Sequence, residues 1–200
     1  ALDDDVDADV LVLAGDIYIG ALLKRNDADA RKLNKRFHKF FQSAQDKFKK
    51  IIYIPGNHEH YHGTYQSTIP NLNFGLEKYG IEIMEKSVWK HEDVTFVCTT
   101  LWTDFNNENW EGMYTAKKYM SDFTGIIKFQ DHAINRRFLP EDAVIENSKC
   151  RDYIKHVVSD RKEEKVVVVT HHTPSMQSCA TKFFAWYTSA KWNLKKTQSP

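Results

Sequence analysis

Residues 51–59 read IIYIPGNHE, an apolar run that changes abruptly into polar residues. Four consecutive apolar side chains are typical of a strand that is buried on both faces, as in a parallel sheet. Pro55 and Gly56 end such a strand, because proline lacks an N–H group and glycine favours turns. The strand therefore delivers Asn57, His58 and Glu59 to its carboxyl end.

The same pattern occurs twice more, in VLVLAGD at residues 10–16 and in VVVVTHH at residues 166–172. Apolar side chains recur every three or four positions over residues 29–48, and this spacing predicts an amphipathic helix. A second helix is predicted over residues 141–162. Strands that alternate with helices indicate an α/β fold, in which ligands bind outside the carboxyl ends of the strands.

The other elements are shorter. A short helix is predicted over residues 70–79, where Gly80 stops it, and further strands are predicted over residues 81–84 and 94–99. Residues 102–139 show no clean period, and a stretch of that length without pattern is typical of a functional insertion.

Composition restricts the class of protein. The 200 residues carry a formal net charge of +1, and 13% of them are aromatic, which is enough to build a folded core. No apolar run approaches the roughly 18 residues of a membrane span, and the near-neutral charge argues against general nucleic-acid binding. Cys98, Cys150 and Cys179 are widely spaced, which indicates buried thiols and a reducing, cytoplasmic location.

The three strand ends carry side chains that bind metals. Asp16, Asn57 and His171 offer oxygen and nitrogen ligands, which suit Zn²⁺, Mn²⁺ or Fe²⁺. A carboxylate such as Asp16 can bridge two cations of the kind that hydrolyse phosphate esters. His58 is the expected proton donor to the leaving alkoxide. Taken one at a time, Asp16 could instead cap a helix and Asn57 could stabilise a turn.

Residues 58–62 read HEHYH and match the H-E-x-x-H motif of zinc proteases. That motif requires a helix, which turns both histidines toward one zinc ion. Proline and glycine residues on both sides prevent such a helix here. The polar residues beside the proposed ligands are therefore expected to line the pocket or to support the ligands; they are Glu59, His60, His62 and His172.

Residues 10–17, 55–59 and 169–174 resemble three of the sequence blocks of calcineurin-like metallophosphoesterases. Residues 99–104, TTLWTD, resemble a segment of bacterial and phage-type members. The resemblance implies a layered mixed sheet with helices on its outer faces, in a single domain over residues 1–200. It also implies two divalent metal ions and hydrolysis of a phosphomonoester or a phosphodiester.

The resemblance also implies roles for individual residues. Asp16 bridges the two ions and shares in catalysis, Asn57 and His171 bind one of the ions, and His58 assists the leaving group. The first block of the family, Asp-x-His, and its last, Gly-His-x-His, have no match in the sequence. The resemblance therefore predicts a fold that is incomplete at both ends, with only Asp16 left for the second ion.

Two expectations follow from these departures. The chain is either a phosphoesterase, with activity weakened by missing ligands, or a non-catalytic binding or scaffold module on the same fold. Without its neighbour, the strand over residues 10–14 would expose a free edge, which is a template for pairing with another chain. We expect that edge to be covered by a second copy or by the end segments over residues 1–9 or 181–194.

Overall fold

The computed structural model describes residues 6–132, 134–161 and 165–178. Cys179 and residues 181–194, which carry part of the sequence-based expectations, lie outside the described residues. The described chain is mixed α/β, with helices and several sheets, and this confirms the predicted fold class. No helix in these ranges is long and apolar enough to cross a bilayer.

The first strand pair and its crossover helix form the amino-terminal half. Strand β1 (Val10–Ala14) pairs in parallel with β2 (Lys50–Ile54), and helix α1 (Ala28–Lys47) connects them. Asp27 caps α1 by accepting a hydrogen bond from the N–H group of Ala30 at 3.1 Å, which satisfies one free donor of the first turn. The apolar stripe of α1 packs on β2, as its period predicted. The centre of this core consists of Phe37, Phe41, Ala44, Tyr53, Leu72 and Leu76.

A second sheet contains β3 (Ser87–His91), β4 (Val94–Thr99) and β7 (Lys165–Thr170). Strand β4 pairs in parallel with β7 and antiparallel with β3. The prediction of a strand over residues 81–84 was wrong, because only Ile83 forms a bridge, to Tyr53 of β2. Strand β3 was not predicted, since its short mixed sequence SVWKH lacks a continuous apolar run.

Two long helices were predicted to within three residues, over residues 29–48 and 141–162, whereas the helix predicted over residues 70–79 begins five residues earlier. Helix α2 (Tyr65–Leu76) continues as a 3₁₀ turn over Glu77–Tyr79, and Gly80 ends it in the left-handed conformation with φ of 61°. Residues 102–139 are more regular than predicted. They contain helix α3 (Trp110–Tyr119) and the hairpin β5 (Lys128–Asp131) and β6 (Ile134–Arg137).

Helix α4 (Pro140–Ser159) follows the hairpin and leads back to β7. The segment before it was judged irregular because its elements are short and its core is aromatic rather than periodic. That core consists of Trp102, Phe123, Ile127, Phe138 and Ala143, with Ala116 of α3.

The burial of β1 and β7 differs from the expectation that both faces are covered. Val12 of β1 is 40% exposed, and Val167 of β7 is 43% exposed. Within the described residues, β1 pairs only with β2 and β7 pairs only with β4. A continuous apolar run predicts a strand, but it does not determine which of the strand's faces the rest of the chain covers.

Candidate functional site

The carboxyl ends of β1, β2 and β7 meet at one place, as the sequence predicted. Nε2 of His171 lies 3.1 Å from Oδ1 of Asn57 and 3.5 Å from Oδ1 of Asp16. The second ring nitrogen of His171, Nδ1, lies 2.7 Å from the carbonyl oxygen of Ala14. Strand β7 belongs to a different sheet from β1 and β2, so tertiary packing brings these three side chains together.

One hydrogen bond of His171 and one of Asn57 determine which atoms of these two side chains face each other and Asp16. The Ala14 carbonyl can only accept, so Nδ1 of His171 carries the proton and, in the neutral imidazole, Nε2 presents a lone pair. The NH₂ group of Asn57 donates to Oδ1 of Asp122 at 2.7 Å, which leaves its own Oδ1 facing His171. Three acceptor atoms therefore converge without a donor between them, and this arrangement fits a cation.

Close approach of the backbones makes this convergence possible. A Cβ atom on Gly56 would overlap Oδ1 of Asp16 and would lie 2.6 Å from Cε1 of His171. Asp16 itself has φ of 59°, which lies in the left-handed region that residues other than glycine rarely occupy. Such strain persists only where the surroundings hold it, and it is frequent at functional sites.

Glu59 holds the backbone that carries Asp16. Its side chain is fully buried, and its two oxygens accept five hydrogen bonds of 2.6–3.1 Å. The donors are the backbone N–H groups of Asp16, Ile17, Tyr18 and Gly56 and the hydroxyl of Tyr53. Glu59 therefore supports Asp16 by holding the backbone N–H groups around it, and as a fully buried side chain it does not line a pocket.

His58 stands at the open rim of the site. Its backbone N–H group donates to Oδ1 of Asp16 at 3.1 Å, and its Nδ1 lies 3.8 Å from Oδ2 of the same carboxylate. The His58 side chain is 54% exposed, and its ring lies 4.4 Å from that of Tyr61. A proton donor at this position can reach a ligand bound from solvent.

Comparison with known proteins identifies the family of this chain. A sequence model of the calcineurin-like phosphoesterase family matches residues 1–196. The chain belongs to this family. It is also 28% identical over 166 residues to an uncharacterized protein, L509, of Acanthamoeba polyphaga mimivirus, across 80% of this chain and 56% of that protein. The chain thus spans little more than half the length of that relative. No solved structure matches it.

His60 belongs to the core, so of its two predicted roles a place in an open pocket does not fit, and support of the ligands stays a prediction. It is 2% exposed, its ring stacks on Tyr65 at 4.5 Å, and its Nδ1 has no hydrogen-bond partner. Burial lowers the pKa of His60 to about 3, and nearby His172 and Lys86 also disfavour its protonation. Sequence adjacency to the proposed ligands does not show which way a side chain turns.

The two remaining predicted residues, His172 and His62, differ in exposure, since His172 is half-buried and His62 lies at the surface. His172 packs against the indole of Trp102 at 5.0 Å and edge-on to His171 at 4.8 Å. Burial lowers its pKa to about 4. His62 is exposed and has φ of 59°. The residues after Asn57 form only a 3₁₀ turn, His58–His60, so the zinc-protease motif has no helix.

Asp122 was missed by sequence reasoning. It lies in the 3₁₀ turn Ser121–Phe123, within the segment judged irregular, and it contacts Asn57 across 65 residues of sequence. Within the described residues, no group of three His, Cys, Asp or Glu side chains is placed to hold a metal ion. A cation held at this point would therefore need the amide oxygen of Asn57 in addition to Asp16 and His171, so the orientation of that amide matters.

Proposed function

We propose that this chain is a metal-dependent phosphoric ester hydrolase that acts on a phosphomonoester or phosphodiester. The observation that carries this proposal is the convergence of three acceptor atoms, Oδ1 of Asp16, Oδ1 of Asn57 and Nε2 of His171, with no donor between them. Family membership supports it, because calcineurin-like phosphoesterases as a class are metal-dependent. The donor set of carboxylate, amide oxygen and imidazole suits Mn²⁺, Zn²⁺ or Fe²⁺.

The protein's own residues divide the work. Asp16, Asn57 and His171 would hold a divalent ion, which when bound polarises a phosphoryl oxygen and makes water a stronger nucleophile. When the bond from phosphorus to the ester oxygen breaks, the leaving alkoxide needs a proton. The exposed ring of His58 is placed to donate that proton, and the Asp16 carboxylate beside it orients the ring.

A second ion is proposed on Asp16. Oδ1 of Asp16 lies 3.5 Å from Nε2 of His171, Oδ2 lies 3.8 Å from Nδ1 of His58, and the side chain as a whole is 34% exposed. Its two oxygens thus face different directions, as a bridging ligand requires. A reducing, cytoplasmic location is likewise proposed, supported by the free and buried thiols of Cys98 and Cys150.

The test is hydrolysis of p-nitrophenyl phosphate and bis-p-nitrophenyl phosphate by the full chain with Mn²⁺. We expect turnover that a chelator stops and that Asp16→Ala abolishes together with Mn²⁺ binding. Asp46→Ala, which removes an exposed acid on α1, is the matched control and should retain both. Binding of Mn²⁺ without hydrolysis of either ester would favour the alternative of a non-catalytic binding or scaffold module.

Association with a second copy through the edge of β1 is a separate proposal. It is supported by the single partner of β1 within the described residues and by the exposure of Val12. Light scattering on the purified chain tests it. A dimer that Val12→Lys dissociates is the expected result, and a monomer at all concentrations would contradict it.

A further inference from the structure

A buried acid from a distant segment holds the amide of Asn57. Asp122 is 6% exposed, and its Oδ1 accepts a hydrogen bond of 2.7 Å from Nδ2 of Asn57. Within the described residues, Asp122 forms no ion pair with a lysine, arginine or histidine. A buried carboxylate without a cationic partner is costly, so its retention beside an amide calls for a reason in addition to packing.

The chemistry of the pair supplies that reason. The two ends of an Asn side chain have nearly the same shape, but one accepts hydrogen bonds and the other donates them. A carboxylate can only accept, so Asp122 is compatible only with the NH₂ end of Asn57. In the flipped orientation, two oxygens would lie 2.7 Å apart, and the NH₂ group would point at His171. No metal ion binds to that NH₂ end.

We infer that Asp122 is a positioning residue that fixes the Asn57 amide with its oxygen toward the metal-binding point. The inference rests on the proposed metal site. It assigns a function to the segment 102–139, which carries Asp122 from outside the three strand ends. The 3₁₀ turn Ser121–Phe123, which carries Asp122, thereby couples the packing of that segment to the position of the Asn57 amide.

Tyr61 connects this pair to the side of the site that carries His58. Nδ2 of Asn57 lies 3.5 Å from the hydroxyl of Tyr61, and the Tyr61 ring lies 4.4 Å from the ring of His58. The Tyr61 hydroxyl therefore borders the NH₂ end of the amide, the same end that Asp122 holds.

The experiment measures Mn²⁺ binding to the full chain by calorimetry for the wild type, Asp122→Leu and Asp131→Leu. Leucine resembles aspartate in shape but has no atom that accepts a hydrogen bond, whereas asparagine would still offer its carbonyl oxygen to Asn57. Asp122→Leu should weaken binding by about 10–100-fold, the usual loss when a group that orients a ligand is changed. Asp131→Leu removes an exposed acid of the same segment and should change the affinity by less than about twofold. An unchanged dissociation constant in Asp122→Leu overturns the inference.

A double-mutant cycle separates positioning from a general effect of charge. In an Asn57→Ala background, Asp122→Leu should cause no further loss, because the amide through which Asp122 acts is absent. An equal loss in both backgrounds would mean that Asp122 attracts the ion through its charge, and it would overturn the inference. Asp122→Glu, which restores the acceptor, should recover part of the affinity.

The amide can also be observed without metal. In ¹H–¹⁵N spectra of the wild type, one NH₂ proton of Asn57 should be shifted downfield by its bond to the carboxylate, and Asp122→Leu should remove this shift. An unshifted wild-type signal overturns the inference even if a variant fails to fold. If the wild type shows the shifted amide but binds no Mn²⁺, the metal site is refuted, whereas the hydrogen bond by which Asp122 orients Asn57 is confirmed.

Discussion

Replacement of Glu59 by glutamine tests whether this one carboxylate holds the backbone that carries Asp16. Gln has the same shape as Glu, but one of its two terminal atoms donates hydrogen bonds instead of accepting them. In the structure, Oε2 of Glu59 accepts from the N–H groups of Asp16 and Gly56, and Oε1 accepts from three further donors. Every orientation of the new side chain therefore sets its NH₂ group against at least two donors.

The size of the effect follows from that count. An unsatisfied buried donor costs about 1–3 kcal/mol, so two of them lower the free energy of unfolding by about 2–6 kcal/mol. A domain of ordinary stability has about 5–15 kcal/mol in total, so Glu59→Gln should be severely destabilised. The strained left-handed backbone of Asp16 should relax in this variant, which should also weaken Mn²⁺ binding.

The assay is urea unfolding followed by tryptophan fluorescence, with the free energy taken from the midpoint and the slope. Glu82→Gln is the matched control, because Glu82 is exposed, and it should stay within about 0.5 kcal/mol of the wild type. If Glu59→Gln unfolds at the same urea concentration as the wild type, the five hydrogen bonds do not support the loop as argued here.

Three further outcomes are expected. His58→Gln should slow hydrolysis of the nitrophenyl esters by about 10²–10⁴-fold with Mn²⁺ binding retained. An unchanged rate of nitrophenol release would exclude His58 as the proton donor. Gly56→Ala should abolish Mn²⁺ binding in calorimetry, because its Cβ would overlap the Asp16 carboxylate; wild-type affinity would contradict this. Because burial lowers the pKa of His60 to about 3, the unfolded chain binds a proton below about pH 6.5 before the folded chain does. Stability in urea should therefore fall as pH drops from about 6.5 toward 3, by at most about 1.4 kcal/mol per pH unit for each such group. His60→Phe should reduce this slope. An identical slope would show that His172, whose pKa is also lowered, causes it alone.

Much of the fold was predictable because its signals are local. The apolar runs before Asp16, Asn57 and His171 predicted three parallel strands and the edge at which they end, and the period over residues 29–48 predicted α1 to within a residue at each end. The residue types at those strand ends also indicated a metal-binding donor set. Each of these inferences uses neighbours within a few positions, where backbone periodicity and residue chemistry suffice.

Other features were decided only by tertiary structure. The sequence order of residues 57–62 is the same whether His60 faces a pocket or the core, and its burial against Tyr65 depends on the packing of α2. The exposure of Val12 depends on which strands pair with β1. The contact between Asp122 and Asn57 joins residues 65 positions apart, in a segment without periodicity. A local pattern determines which surfaces of an element are apolar, but only the folded chain determines what those surfaces and the polar groups beside them meet.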